Sequence, residues 1–196
     1  MAGIPSLRGS VSVHPSLLLW LSILCYWDMH LTLCFLLAAG IHEMGHGLAL
    51  LCMGRPPCRM ELSALGAQLE IPALGYGQSA LALAAGPIAS LLLGLTLPLC
   101  PTAGLLSLGL GLFNLLPLRG LDGGELLYNL LCLRLSPERS DRITSGISIL
   151  LSALVVPVSL ILSLRLSLGL WLPAASLLLL MKSLDAGGCN LRGNLV

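Results

Sequence analysis

Residues 31–53, LTLCFLLAAGIHEMGHGLALLCM, decide how this chain is read. The stretch is apolar and long enough to cross the ~30 Å hydrocarbon core of a bilayer, which takes about 20 residues of helix. Yet it holds His42, Glu43 and His46 within five positions. Ionisable groups inside a span are costly, so three together point to function rather than packing. On a helix, positions i and i+4 share a face, so both imidazoles can turn toward one ion. Glu43 follows the first imidazole and can reach a water held by that ion. This is the H-E-x-x-H pattern of zinc hydrolases.

The rest of the chain fits a membrane setting. Of 196 residues, 56% are hydrophobic and 10% charged, with a mean hydropathy of +0.94. An average soluble domain is about 25% charged. Ten Lys/Arg and nine Asp/Glu cannot dress the surface of a soluble fold this size. Disorder is excluded by the high hydrophobicity. Nucleic-acid binding is excluded by a net charge of +1 with no basic stripe. The seven cysteines are odd in number and form no C-x-x-C, so they read as small buried apolar residues rather than a disulfide or zinc framework.

The fold expected is an all-α polytopic membrane protein of about six transmembrane helices, forming a single domain over residues 1–196. A segment 1–14 precedes the spans, and a flexible tail 184–196 follows them. The first span is a short one, 15–27, and the second is 31–53. Arg59 to Pro72, RMELSALGAQLEIP, alternates polar and apolar residues about a glycine-containing centre, which predicts a small β-hairpin between the second and third spans. Residues 71–118 carry no charge over 48 positions, enough for two crossings, with LPLCP at 97–101 as the turn. The third span is therefore 78–97, and the fourth begins near 103. It ends in NLLPLRGLDGG, residues 114–124, where Pro and three Gly oppose a regular helix. A short amphipathic helix over 125–135 follows, then a fifth span at 143–164 and a sixth at 166–181.

Basic residues flanking spans favour the cytoplasm. With a cytoplasmic N-terminus and six crossings, Arg8, Arg55, Arg59, Arg134, Arg139, Arg142, Lys182 and Arg192 lie inside and Arg165 outside. Both termini are then cytoplasmic.

A catalytic zinc takes three protein ligands and keeps one position open. Glu70, 24 residues past His46, has the spacing of a downstream glutamate ligand but sits in the strand-like segment. Asp122 lies in the broken segment, flanked by Gly120, Gly123 and Gly124. Irregular backbone at membrane depth is tolerated where it lines a cavity. Asp122 is the favoured third ligand, and it can also serve as the N-cap of the helix that follows.

HEMGH at 42–46 and NLLPLRGLDGG at 114–124, in that order on consecutive membrane segments, resemble the two signature motifs of the site-2 protease family of intramembrane zinc metalloproteases. AAGPIAS at 84–90 resembles the small-residue motif between them. VHP at 13–15, the short first spans and GAQLEI look most like the stage IV sporulation protein FB branch. The resemblance implies one Zn2+ held by His42, His46 and Asp122, with Glu43 as general base. It also implies that Asn114 positions the substrate or the developing oxyanion. The activity implied is that of a zinc metalloendopeptidase acting on a membrane-associated regulatory precursor, an example being a sporulation sigma factor, in a bacterial cell membrane beside membrane regulatory partners. The family often has Pro where this chain has Gly120.

Two other readings compete. A metal-binding or metal-transporting membrane protein should spread its ligands over several spans with repeat symmetry, and it has no need of a base such as Glu43. An inactive protease-like scaffold is opposed by the intact Glu43.

Overall fold

A computed structural model describes residues 10–13, 28–56, 59–63, 66–70 and 74–166, plus isolated positions at 15, 18, 22, 25, 26, 176, 177, 180 and 181. The expected first and sixth spans and the tail at 184–196 lie largely or wholly outside them. Five helices are described: α1 (Met29–Cys52), α2 (Tyr76–Gly94), α3 (Pro101–Asn114), α4 (Asp122–Cys132) and α5 (Pro137–Leu166). Three of them, α1, α2 and α5, are long and apolar enough to cross a membrane, as in a multi-pass integral membrane protein. The fourth expected span is shorter than anticipated. Its helix, α3, has 14 residues, about 21 Å at 1.5 Å per residue. Pro101 at one end and the break after Asn114 at the other trim it.

The chain divides into two compact units, residues 1–112 and 113–196. In the first, α1 starts where the Asp28 side chain accepts from the Leu31 N–H at 2.9 Å. It stops at Gly54, whose φ of +67° suits a left-handed helix terminus. The Arg55 N–H then reaches back to the Leu50 carbonyl at 2.9 Å, closing the last turn. Helix α2 packs on α1 through small residues. A Cβ on Gly45 would lie 2.6 Å from the Ala85 carbonyl oxygen, so only glycine allows the two backbones to come this close.

The buried positions of this unit include Ala38, Ala80, Ala82 and Ala103, while Leu33, Phe35, Leu37 and Leu48 are exposed. In water that pattern would be inverted. Against lipid tails, large apolar side chains face outward and small ones allow helices to approach. Of the five described cysteines Cys34 is buried within the protein, Cys132 is half-buried, and Cys25, Cys52 and Cys100 lie on its surface.

The backbone of β2 (Arg59–Ser63) pairs antiparallel with β3 (Gly66–Glu70), Arg59 opposite Glu70, where a hairpin was expected. Strand β1 (Ser10–Val13) adds parallel to β2, giving the order β1-β2-β3. That pairing was not foreseen, although Ser-Val-Ser-Val alternates with the strand period.

In the second unit, α5 carries a buried row of small polar residues: Ser140, Thr144, Ser148 and Ser152. The connection 115–121 lies against α4. A Cβ on Gly123 would run into the Leu115 carbonyl, and one on Gly124 into that of Leu118.

Candidate metal centre

Helix α1 presents His42 and His46 one turn apart, both buried at 5% and 9% exposure. Their Nε2 atoms are 3.3 Å from each other, and the rings stand nearly edge to face at 79°. The opposite ring nitrogens are anchored on α2. His46 Nδ1 lies 2.8 Å from the Ala82 carbonyl oxygen. A carbonyl can only accept, so Nδ1 carries the proton and the Nε2 lone pair is left for a ligand role. His42 Nδ1 lies 2.9 Å from Ser90 Oγ, and the hydroxyl can accept in the same way. Ser90 is fully buried, and its carbonyl accepts from Ser107 Oγ at 2.8 Å, tying α2 to α3.

Gly86 completes this half of the site. A Cβ there would occupy the space of the His46 imidazole. The small-residue run AAGPIAS therefore seats a ligand ring. The anchoring roles of Ala82 and Ser90 were missed, since a backbone carbonyl leaves no motif and Ser90, the last residue of AAGPIAS, was read only as part of a small-residue run.

In the second unit, Asp122 is the first residue of α4, and Leu121 is the N-cap, with φ −108° and ψ 160°. Asp122 thus opens the helix rather than capping it. A carboxylate in the first turn is favoured by the helix dipole. Upstream, Arg119 is 7% exposed. Its guanidinium meets Glu125 at 3.3 Å and pairs with Asp141.

His42, His46 and Asp122 each offer one ligand atom, and these three atoms lie within 4.8 Å of one another. Among the described residues, the carboxylate grouped with the imidazoles is that of Asp122. The donor set suits a single zinc ion. With Zn–N near 2.0–2.1 Å and tetrahedral angles, two imidazole nitrogens should stand about 3.3–3.4 Å apart. The 3.3 Å between the Nε2 atoms fits that spacing. Without a cation or a shared proton, two lone pairs facing each other would repel. Glu43, half-buried, follows His42 on the same helix, and Asn114, half-buried, ends α3.

Fold and donor set together define a multi-pass membrane protein with a His-His-Asp metal centre. No protein-family model matches the chain, and no curated protein matches it. Among solved structures, the site-2 protease from Methanocaldococcus jannaschii is similar over 94% of this chain and 93% of its own, at 20% sequence identity and a TM-score of 0.64. The chain shares the fold of that protease.

Proposed function

We propose that this protein is an intramembrane zinc metalloendopeptidase, acting as one domain, that hydrolyses a peptide bond in or beside the bilayer. The observation that carries the reading is the grouping of His42, His46 and Asp122 donor atoms on a chain that places an acid, Glu43, directly after the first imidazole. His42, His46 and Asp122 hold the metal. Zinc bound there supplies Lewis acidity, acidifying a water and polarising the scissile carbonyl. Glu43 takes the proton of the attacking water and delivers it to the leaving amine. Asn114 orients the scissile segment or donates to the developing oxyanion.

A helical substrate has its carbonyls tied up, so it must be extended to be cut. The backbone of β3, paired among the described residues with β2 alone, offers an edge on which an extended segment can add. The substrate proposed is a membrane-associated regulatory precursor. The resemblance of residues 13–15 and of GAQLEI suggests a sporulation sigma factor. The charge distribution of the loops supports both termini in the cytoplasm, and the resemblance of the motifs suggests a bacterial cell membrane.

Co-expression with membrane-tethered candidate precursors tests the activity. A product that appears with the wild type and vanishes with Glu43→Gln is expected, and a product that persists in that variant overturns the assignment. Single cysteines at positions 57 and 137 in a cysteine-free background test the orientation. A membrane-impermeant thiol reagent should not label either one from outside intact cells.

A further inference from the structure

From the geometry around Arg119 we infer that this residue is a positioning residue for the metal centre, clamping the start of α4 so that Asp122 is held at its ligating position. The inference rests on the assignment of Asp122 as a metal ligand. Helix α4 has 11 residues, and an isolated helix of fewer than about 12–15 residues is marginal on its own. Something outside α4 must therefore fix where its first turn sits. Arg119 does so from both sides of the connection that precedes it.

Its backbone N–H donates to Ser148 Oγ at 2.8 Å, fastening the connection to the middle of α5. One guanidinium nitrogen donates to Glu125 Oε1 at 3.3 Å, one turn into α4. The other donates to Asp141 on α5. The guanidinium carbon Cζ lies over the Tyr128 ring, 4.9 Å from its centre, a cation–π contact with the next turn of α4. One side chain thus ties α4 to α5 at two levels, three residues before Asp122. Gly120, with φ of +90°, turns the chain directly after Arg119. Gly124 leaves room for the Leu118 carbonyl and the Arg119 amide against the helix.

Keeping a buried arginine in a membrane protein is costly, and its Nε has no partner among the described residues. Lysine could not replace the arrangement. Its ammonium is a single point charge that cannot bridge two carboxylates and lie flat on a ring at once.

The test is zinc competition against a chromophoric chelator on detergent-solubilised protein, together with the visible spectrum of the Co2+-loaded protein. Wild type should bind about one ion. Arg119→Ala should weaken zinc about 10–100-fold, the range for loss of a partner behind a ligand, and should change the cobalt band. Arg119→Lys should recover part of the affinity. A folded Arg119→Ala with wild-type affinity and spectrum overturns the inference. Where Arg119→Ala does not accumulate as folded protein, Asp141→Asn decides. It keeps the Glu125 contact, so it should show a smaller loss of affinity with a changed cobalt band, and an unchanged protein overturns the inference. A wild-type chain that takes up no metal removes the centre itself, and this inference with it. Metal uptake with normal Arg119 dependence but no peptide cleavage leaves the inference standing and overturns the protease reading.

Discussion

The two halves of the metal centre are built in opposite ways. The histidine half is regular. Two ligands one turn apart on α1 are oriented by a carbonyl and a hydroxyl of α2, and the helices are brought together by Gly45 and Gly86. The aspartate half is irregular. A connection with a left-handed glycine leads into a short helix, and an arginine with two carboxylate partners fixes the join. The difference follows from how many ligands each element supplies. A helix provides two donors on one face through its own periodicity. A single donor gains nothing from periodicity, so its position must be set by contacts from outside its helix.

Substitutions that bring a Cβ into either half should cost most. Gly86→Ala must push the His46 ring aside, and Gly124→Ala must move the Leu118 carbonyl. A 1 Å misplacement can cost about 100-fold in activity, and we expect losses of at least that order in both, measured as kcat/KM on a shared substrate. If Gly86→Ala is near wild type while Gly124→Ala is dead, the histidine half is more pliable than its close packing implies. A smaller effect is expected from Ser90→Ala. It removes the anchor of His42 Nδ1 but leaves that of His46 intact. Zinc affinity should fall about 10-fold, the lower end for loss of such a partner. A chelator competition that gives wild-type affinity would show that Ser90 only packs.

The same contrast decides what was legible in the sequence. His42, Glu43 and His46 could be read directly, because their spacing is a local property of one helix. Asp122 could be favoured over Glu70 from its broken, glycine-flanked segment, but its place beside the histidines could not be read, because that requires knowing which segment returns to them. Arg119 was passed over as one charge in a broken segment. Its carboxylate partners stand 6 and 22 residues away, and nothing in spacing ties a lone arginine to an acid that far along. The strand at 10–13 was missed for a similar reason, since its partner is β2, 49 positions on. The fourth span, in the uncharged run 71–118, was expected to be longer than the 14-residue helix that forms there. Hydropathy records how apolar a segment is, whereas prolines at 98, 101 and 117 decide how much of it stays helical.

In the proposed reaction His42, His46 and Asp122 hold one zinc and Glu43 is the base. Zinc content and peptide cleavage, measured on the same purified preparations of wild type, Glu43→Gln, Asp122→Ala and Glu70→Ala, test it most directly. We expect about one zinc and no cleavage for Glu43→Gln, neither zinc nor cleavage for Asp122→Ala, and retained zinc for Glu70→Ala. Full zinc in Asp122→Ala with loss in Glu70→Ala, or cleavage by Glu43→Gln at the wild-type rate, would contradict it.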